Sequence, residues 1–218
     1  MFPLNDSSPR KLFPVVNYAI IAFNIFIFLL QISSGNFDRF IYQNGFIPLH
    51  FNPQNFESYG LIVTSLFMHG GIWHIAFNLW FLHVFGDNVE DRMGHWKYAT
   101  FYIMAGIIAT LAQYIVNPGS MLPIIGASGA ISGVAGAYFL LYRNSRIKSI
   151  VFTGFAITTA NLPTWLFLGY WFAVQLLFGF ISYDPSAQGG TAWFAHIGGF
   201  VFGLCVALFF RKKHVRML

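Results

Sequence analysis

Long apolar stretches separated by short polar segments dominate the chain. Six of them have the length of a helix that crosses about 30 Å of hydrocarbon, and they lie at about residues 14–32, 71–87, 98–116, 126–142, 162–181 and 192–210. Of the 218 residues, 56% are hydrophobic and 9% are charged, which is typical of a membrane protein. The pattern predicts one all-α membrane domain over residues 1–218, a bundle of six transmembrane helices with no separate soluble domain.

A seventh apolar segment, residues 149–160, is too short to cross a membrane alone. A crossing there would also place the basic C-terminal residues on the outer side, against the expected distribution of charge. We therefore interpret this segment as an interfacial or re-entrant piece that leads into the fifth span.

Positive charges are distributed unevenly between the predicted spans. Eleven of the twelve Lys and Arg residues fall on the side of the N-terminus, and only Arg39 falls on the other side. Because cytoplasmic loops carry the excess of Lys and Arg, we expect both termini in the cytoplasm. The start has no Arg- and Ser-rich transit-type extension, which favours a multi-pass protein of a prokaryotic cell membrane. The basic residues are scattered over short segments, which indicates contact with the lipid bilayer and no nucleic-acid binding.

Three polar side chains fall at one depth in three different spans. Ser128 and His196 each lie 15 residues before the next inner charge, and His74 lies 13 residues before Asp87. At about 1.5 Å per residue, all three would lie roughly 20–22 Å above the inner boundary. Polar groups are costly inside a bilayer, so this coincidence predicts a functional site that opens to the extracytoplasmic side.

The residue types at this depth are the parts of a serine hydrolase. Ser128 is a weak nucleophile that needs a base, and His196 is the candidate base. All seven acidic residues lie outside the predicted spans, so we expect a Ser–His dyad without a carboxylate. His74 and Asn78 are four residues apart on one helix face. Their N–H groups and the backbone N–H of Ser128 are candidates for oxyanion stabilisation.

Small residues accompany the polar ones. Gly126 and Gly129 flank Ser128 and would allow the chain and a substrate to approach the serine closely. Gly199, three residues after His196, is likewise expected to line the site. Small residues at helical spacing also let two helices touch in a membrane. Such residues mark the fourth and sixth spans and predict a close crossing that brings His196 to Ser128: Gly129, Gly133, Gly136 and Ala137, then Gly199 and Gly203.

Each of these residues also has a structural interpretation. A serine in a membrane helix is commonly a packing residue, and Ser132 has the same side chain one turn deeper. His196 could be a hydrogen-bonded structural histidine, and the His74–Asn78 pair could bond between helices. His69, at the edge of the outer loop, is expected to brace that loop and to line the site. A metal site of His69, His74 and His196 would lack a carboxylate ligand and the H-E-x-x-H pattern, so we expect no metal and no cofactor.

Taken together, three sequence blocks resemble the rhomboid family of intramembrane serine proteases. The similarity covers spans two to six and agrees in order and spacing, and a further stretch, Gly86 to Gly94, is similar to the minimal six-span prokaryotic branch. The blocks are Met68-His69-Gly70-Gly71-Ile72-Trp73-His74-Ile75-Ala76-Phe77-Asn78, Gly126-Ala127-Ser128-Gly129 and Ala195-His196-Ile197-Gly198-Gly199.

The resemblance implies a nucleophile at Ser128, a base at His196 and oxyanion contacts from His74, Asn78 and the Ser128 backbone. It implies transmembrane protein substrates that are cleaved in or next to their spans. It also implies a mobile cap, here residues 182–191, and a lateral entrance beside residues 163–181. The sequence departs from the family in two ways. The first outer loop has no Trp-Arg pair, and Ser132 stands where some members have an aromatic residue on the histidine.

Two other classes of function are open to such a chain. A non-catalytic rhomboid-like protein would bind client transmembrane helices without cutting them, but it would not need the intact set of Ser128, His196 and Asn78. A small transporter or channel would place polar groups at the middle of the bilayer and would favour broken spans or a repeat. Polar groups clustered near one face argue against the transporter.

Overall fold

The structure is a computed structural model that describes residues 1–181 and 190–211. Most of the chain is helical, and three short strands complete the fold. The helices are α1 (Val15–Ser33), α2 (Phe37–Asn44), α3 (Phe56–Thr64), α4 (Ile72–Met93), α5 (His95–Val116), α6 (Ser128–Leu141), α7 (Thr164–Ile181) and α8 (Trp193–Ala207). The strands are β1 (Phe2–Asp6), β2 (Arg146–Phe152) and β3 (Ile157–Pro163), and 3-10 turns lie at Pro48–His50, Ser65–Phe67 and Leu208–Phe210.

Helices occupy all six positions that the apolar stretches predict. Among the described residues, four are long and apolar enough to cross a membrane: α1, α5, α7, and α8 with its following 3-10 turn. The segment Phe56–Phe67 and α4 form a pair bent by 83° that passes the same test only when combined. α6 has 14 residues, or about 21 Å of helix. The six full crossings and the cytoplasmic placement of both termini stay predictions.

The prediction of an all-α fold is wrong for one region. Residues 149–160 lie in a β-hairpin, and β1 adds to it to give an antiparallel sheet of order β1-β2-β3. The interpretation of this segment as interfacial or re-entrant stays a prediction. The register runs from Arg146 opposite Pro163 to Phe152 opposite Ile157. This segment forms a strand because it contains β-branched residues and because its side chains alternate between the two faces of the sheet. Ile147 and Ser149 are buried, and their neighbours are not. Residues 162 and 163, assigned to the fifth span, belong to β3.

The sheet is tied to the helical bundle through its first strand. The Asp6 carboxylate accepts hydrogen bonds from the Tyr138 hydroxyl of α6 and, at 3.0 Å, from the Asn88 side chain of α4. Higher on α4, the Trp80 indole N–H donates to the Pro3 carbonyl oxygen at 2.6 Å. These bonds hold β1 along α4.

α6 is the central helix and packs against α4, α5, α7 and α8. Its crossing with α8 is close enough that a Cβ atom at Gly199 or Gly203 would overlap the backbone of α6 at Gly129 or Gly133. The predicted close crossing of the fourth and sixth spans is therefore confirmed, and its cause is the absence of side chains along the contact.

Two polar clamps fix α1 beside α4. At the start of α1, the buried Glu90 carboxylate accepts the backbone N–H groups of Val16 and Asn17, at 3.0 and 2.7 Å. Near the end of α1, the Gln31 amide bonds both the N–H and the carbonyl oxygen of His69. The second clamp holds the loop that leads into α4. It therefore fixes the position of His74 in the first turn of that helix.

Candidate active site

A serine and a histidine meet at the N-terminal ends of α6 and α8. The Oγ atom of Ser128, the first residue of α6, lies 2.8 Å from Nε2 of His196 in the first turn of α8. The start of α8 is held by the Gln113 side chain of α5, whose Oε1 accepts the N–H groups of Phe194 and Ala195 at 3.1 and 3.3 Å. Capping by a neighbouring helix therefore fixes the height of His196.

The second ring nitrogen of His196 contacts α7. Nδ1 lies 2.8 Å from Oε1 of Gln175, and the Gln175 amide nitrogen donates to the Trp171 carbonyl oxygen at 3.2 Å. The rings of Trp171 and Trp193 flank the imidazole, with centroids 6.2 and 6.1 Å away. Sequence reasoning did not single out Gln175 or Trp171 as part of the site. The available signal was a lone amide side chain in an otherwise apolar helix.

His74 lies on the other side of the serine and has a defined orientation. The Gly70 N–H donates to His74 Nδ1 at 3.2 Å. In a neutral imidazole the other nitrogen then carries the hydrogen, so Nε2 is a donor. That edge packs on Gly126, where a Cβ would lie 2.8 Å from Nε2 and 3.7 Å from Ser128 Oγ. Gly126 also has φ of +112°, so glycine is required there both by conformation and by space.

Asn78 completes the group one turn along α4. It is 7% exposed, and its Nδ2 has no hydrogen-bond partner within residues 1–181 and 190–211. A buried amide with unused donors is costly unless another group fills the space beside it. Its N–H groups are thus available to an oxygen atom that enters the site.

These four side chains share the wall of a cavity of about 640 Å³. A second, smaller cavity of about 160 Å³ also reaches Asn78, Ser128 and His196, and it is bordered by apolar side chains of α4 and α7 such as Phe81 and Trp171. The structure brings together Ser128, His196, His74 and Asn78. Sequence reasoning had grouped the first three by depth and had placed Asn78 with His74 by their spacing on one helix face. A void of this size is large enough for an extended stretch of peptide and for water.

Three residues predicted to line the site lie elsewhere. Gly129 faces Ala109 of α5, where a Cβ would approach to 2.6 Å, and Gly199 contacts the backbone of α6. Both serve helix packing because the same lack of a side chain that would admit a substrate admits a neighbouring helix. His69 is fully buried behind His74, with ring centroids 5.2 Å apart, and does not border either cavity.

The remaining polar groups near the dyad have structural contacts. The Ser132 hydroxyl donates to the Ser128 carbonyl oxygen at 2.6 Å, which matches a packing role. Within the described part of the chain, no carboxylate hydrogen-bonds His196, and no group of three His, Cys, Asp or Glu side chains could hold a metal ion. Most of the predicted cap, residues 182–189, lies outside the described residues.

A bundle of apolar helices that holds a paired hydroxyl and imidazole inside it is typical of few classes of membrane protein. The family description Rhomboid domain matches residues 56–213, and this chain belongs to the rhomboid family of multi-pass membrane proteins. The resemblance stated from the three sequence blocks is confirmed.

Similar curated proteins come from bacteria and from organelles. Rhomboid protease GluP of Bacillus subtilis (strain 168) is 28% identical over 198 residues, 89% of this chain and 34% of that protein. The mitochondrial presenilin-associated rhomboid-like protein of Bos taurus is 27% identical over 189 residues, 85% of this chain and 46% of that protein. The chloroplastic Rhomboid-like protein 11 of Arabidopsis thaliana is 32% identical over 108 residues, 50% of this chain and 38% of that protein. The chain thus spans about a third to a half of the length of these relatives.

Proposed function

We propose that this chain is an intramembrane serine endopeptidase that hydrolyses peptide bonds in or next to the transmembrane segments of other membrane proteins. The observation that carries the proposal is the 2.8 Å contact between Ser128 Oγ and His196 Nε2 on the wall of a cavity inside the bundle. A partly buried hydroxyl bonded to an imidazole beside a void of this size is the arrangement that nucleophilic catalysis needs.

The reaction follows from the protonation states that such a pair can adopt. Ser128 Oγ attacks the scissile carbonyl carbon while His196 Nε2 takes the hydroxyl proton, which forms an oxyanion. The C–N bond then breaks, and His196 returns the proton to the leaving amine. A water molecule, deprotonated by the same imidazole, attacks the acyl-enzyme ester and releases the carboxyl product and free Ser128.

The oxyanion would be stabilised by donors that are not otherwise engaged. The His74 Nε2–H is one, because its Nδ1 is already bonded to Gly70. The Asn78 amide is the second, and the backbone N–H of Ser128 at the start of α6 is the third. One such donor is commonly worth about 10²–10³ in kcat.

Substrate access requires both water and a membrane-embedded peptide. We propose that the larger cavity holds water and opens to the extracytoplasmic side of a cell membrane. A substrate span would enter from the lipid beside α7, near the smaller apolar cavity between α4 and α7. The partners are then other membrane proteins and the bilayer, with no cofactor, metal or nucleic acid involved.

Reconstituted protein and a single-span fluorescent reporter in phosphatidylcholine vesicles provide the test. We expect wild type to cleave the reporter and Ser128→Ala and His196→Ala to lose cleavage. Ser132→Ala is the matched control, a serine one turn away that should keep activity near wild type. Equal cleavage by wild type and both dyad variants would reject the assignment, and binding of the reporter without cleavage would favour a non-catalytic relative.

A further inference from the structure

We infer that Gln175 is a positioning residue that holds His196 in the tautomer able to accept the Ser128 proton, and that Gln175 is itself oriented by the Trp171 carbonyl. This inference rests on the proposed function. It gives the dyad a third, uncharged member on α7.

The first step concerns the orientation of the Gln175 amide. Its two ends differ, because the nitrogen only donates and the oxygen only accepts. The Trp171 carbonyl oxygen, which only accepts, lies 3.2 Å from the amide nitrogen. A flipped amide would place two acceptors against each other at Trp171. The carbonyl therefore fixes the amide, and Oε1 points at His196.

The second step concerns the proton on the imidazole. Oε1 lies 2.8 Å from His196 Nδ1, and an oxygen that only accepts requires a hydrogen on that nitrogen. A neutral imidazole carries one N–H, so Nε2 is left with its lone pair. Nε2 is the atom 2.8 Å from Ser128 Oγ. The serine is then the donor in that bond, as proton abstraction requires.

Burial protects the hydrogen bond between Gln175 and His196 from competition by water. Gln175 is 5% exposed, so bulk water cannot replace its amide oxygen as the acceptor. The flanking rings of Trp171 and Trp193 limit rotation of the imidazole away from Gln175. An orienting hydrogen bond on the second nitrogen of a functional histidine fixes both ring direction and tautomer.

The charges around His196 set what a change at Gln175 would do. The titratable group that faces His196 from α4 is His74, across the larger cavity. α6 presents Ser128, α7 presents Gln175 and Trp171, and α5 packs on α8 through Ala109 and Ala112. Within the described residues none of these four helices places a carboxylate against the ring. A carboxylate introduced at position 175 would be the one anion beside the ring among those residues and would stabilise the imidazolium.

Two variants of similar size test the inference in the vesicle assay. Gln175→Met removes the acceptor, and we expect kcat to fall roughly tenfold or more with KM little changed. Gln175→Glu keeps an acceptor, so activity should be retained at alkaline pH while the acid limb of the pH–rate profile moves up by about one pH unit or more. Gln43→Met, an exposed glutamine on α2, is the control and should match wild type. Wild-type rates and an unshifted profile for both Gln175 variants would overturn the inference.

A spectroscopic measurement is independent of turnover and of the folding of the Gln175 variants. In Ser128→Ala protein with ¹⁵N-labelled histidine, we expect the His196 signals of an Nδ1–H tautomer. An Nε2–H tautomer would overturn the inference even if the reporter is cleaved. A wild type that shows the Nδ1–H tautomer but cleaves nothing would instead reject the proposed function and leave the positioning geometry standing.

Discussion

Asn78→Leu should raise stability and lower activity at the same time. The substitution keeps the approximate size of a 7% exposed side chain but removes an Nδ2 donor that has no partner within the described residues. An unsatisfied buried amide costs about 1–3 kcal/mol, so the free energy of unfolding should rise by about 1 kcal/mol or more. Loss of an oxyanion donor should raise the activation barrier by about 2.7–4 kcal/mol, a fall of about 10²–10³ in kcat.

The assay combines thermal unfolding in detergent with reporter cleavage in vesicles on the same preparations. Asn24→Leu on α1 is the control, since Asn24 is also a buried asparagine but does not border either cavity. It should leave cleavage near wild type. If Asn78 instead joined two helices by a hydrogen bond, its leucine variant would unfold earlier and still cleave, and that pair of results would refute the reasoning.

Three further substitutions probe the supports of the site. Gly126→Ala forces a Cβ against the His74 ring at a φ of +112°, so we expect a loss of about 1–3 kcal/mol in stability and slower cleavage, checked by unfolding and by kcat. Gly199→Leu would push α8 away from Gly129. The free energy of unfolding should fall by about 1–3 kcal/mol or more. The contact between Ser128 and His196 should also break, so we expect the melting temperature and the cleavage rate to fall together. Glu90→Gln removes the carboxylate that holds the start of α1, and the free energy of unfolding should fall by about 1–3 kcal/mol. The kcat per folded molecule should match wild type, because Glu90 and His74 lie at opposite ends of α4. A Glu90 variant as stable as wild type would contradict that role for the clamp.

The positions of the long helices could be predicted from the sequence because lipid solvation acts on each apolar segment locally. The grouping of Ser128, His196 and His74 could also be predicted, since equal depth follows from counting residues along helices that run in the same direction. Neither argument needs to know which helix contacts which. Both rest on the same property, the high cost of placing polar groups in hydrocarbon.

Features that depend on rotation or on distant pairing could not be predicted in this way. Gln175 bonds His196 only because α7 and α8 turn those faces towards each other, and nothing in either segment alone shows this. The hairpin of residues 146–163 has apolar residues that suit a membrane segment and a strand equally well, and its partner β1 lies at the other end of the chain. Gly129 and Gly199 were identified as close-approach residues, but what approaches them is a helix.

The pairing of β1 with β2 also bears on how the protein is made. The two strands are separated by about 140 residues, so β1 has no strand to pair with until helices α1 to α6 have left the ribosome. During that interval the segment from Phe2 to Asp6 must stay free on the side where β2 will emerge. A bulky fusion partner attached ahead of it would then obstruct late assembly, so a purification or fluorescent tag is better placed at the opposite end of the polypeptide.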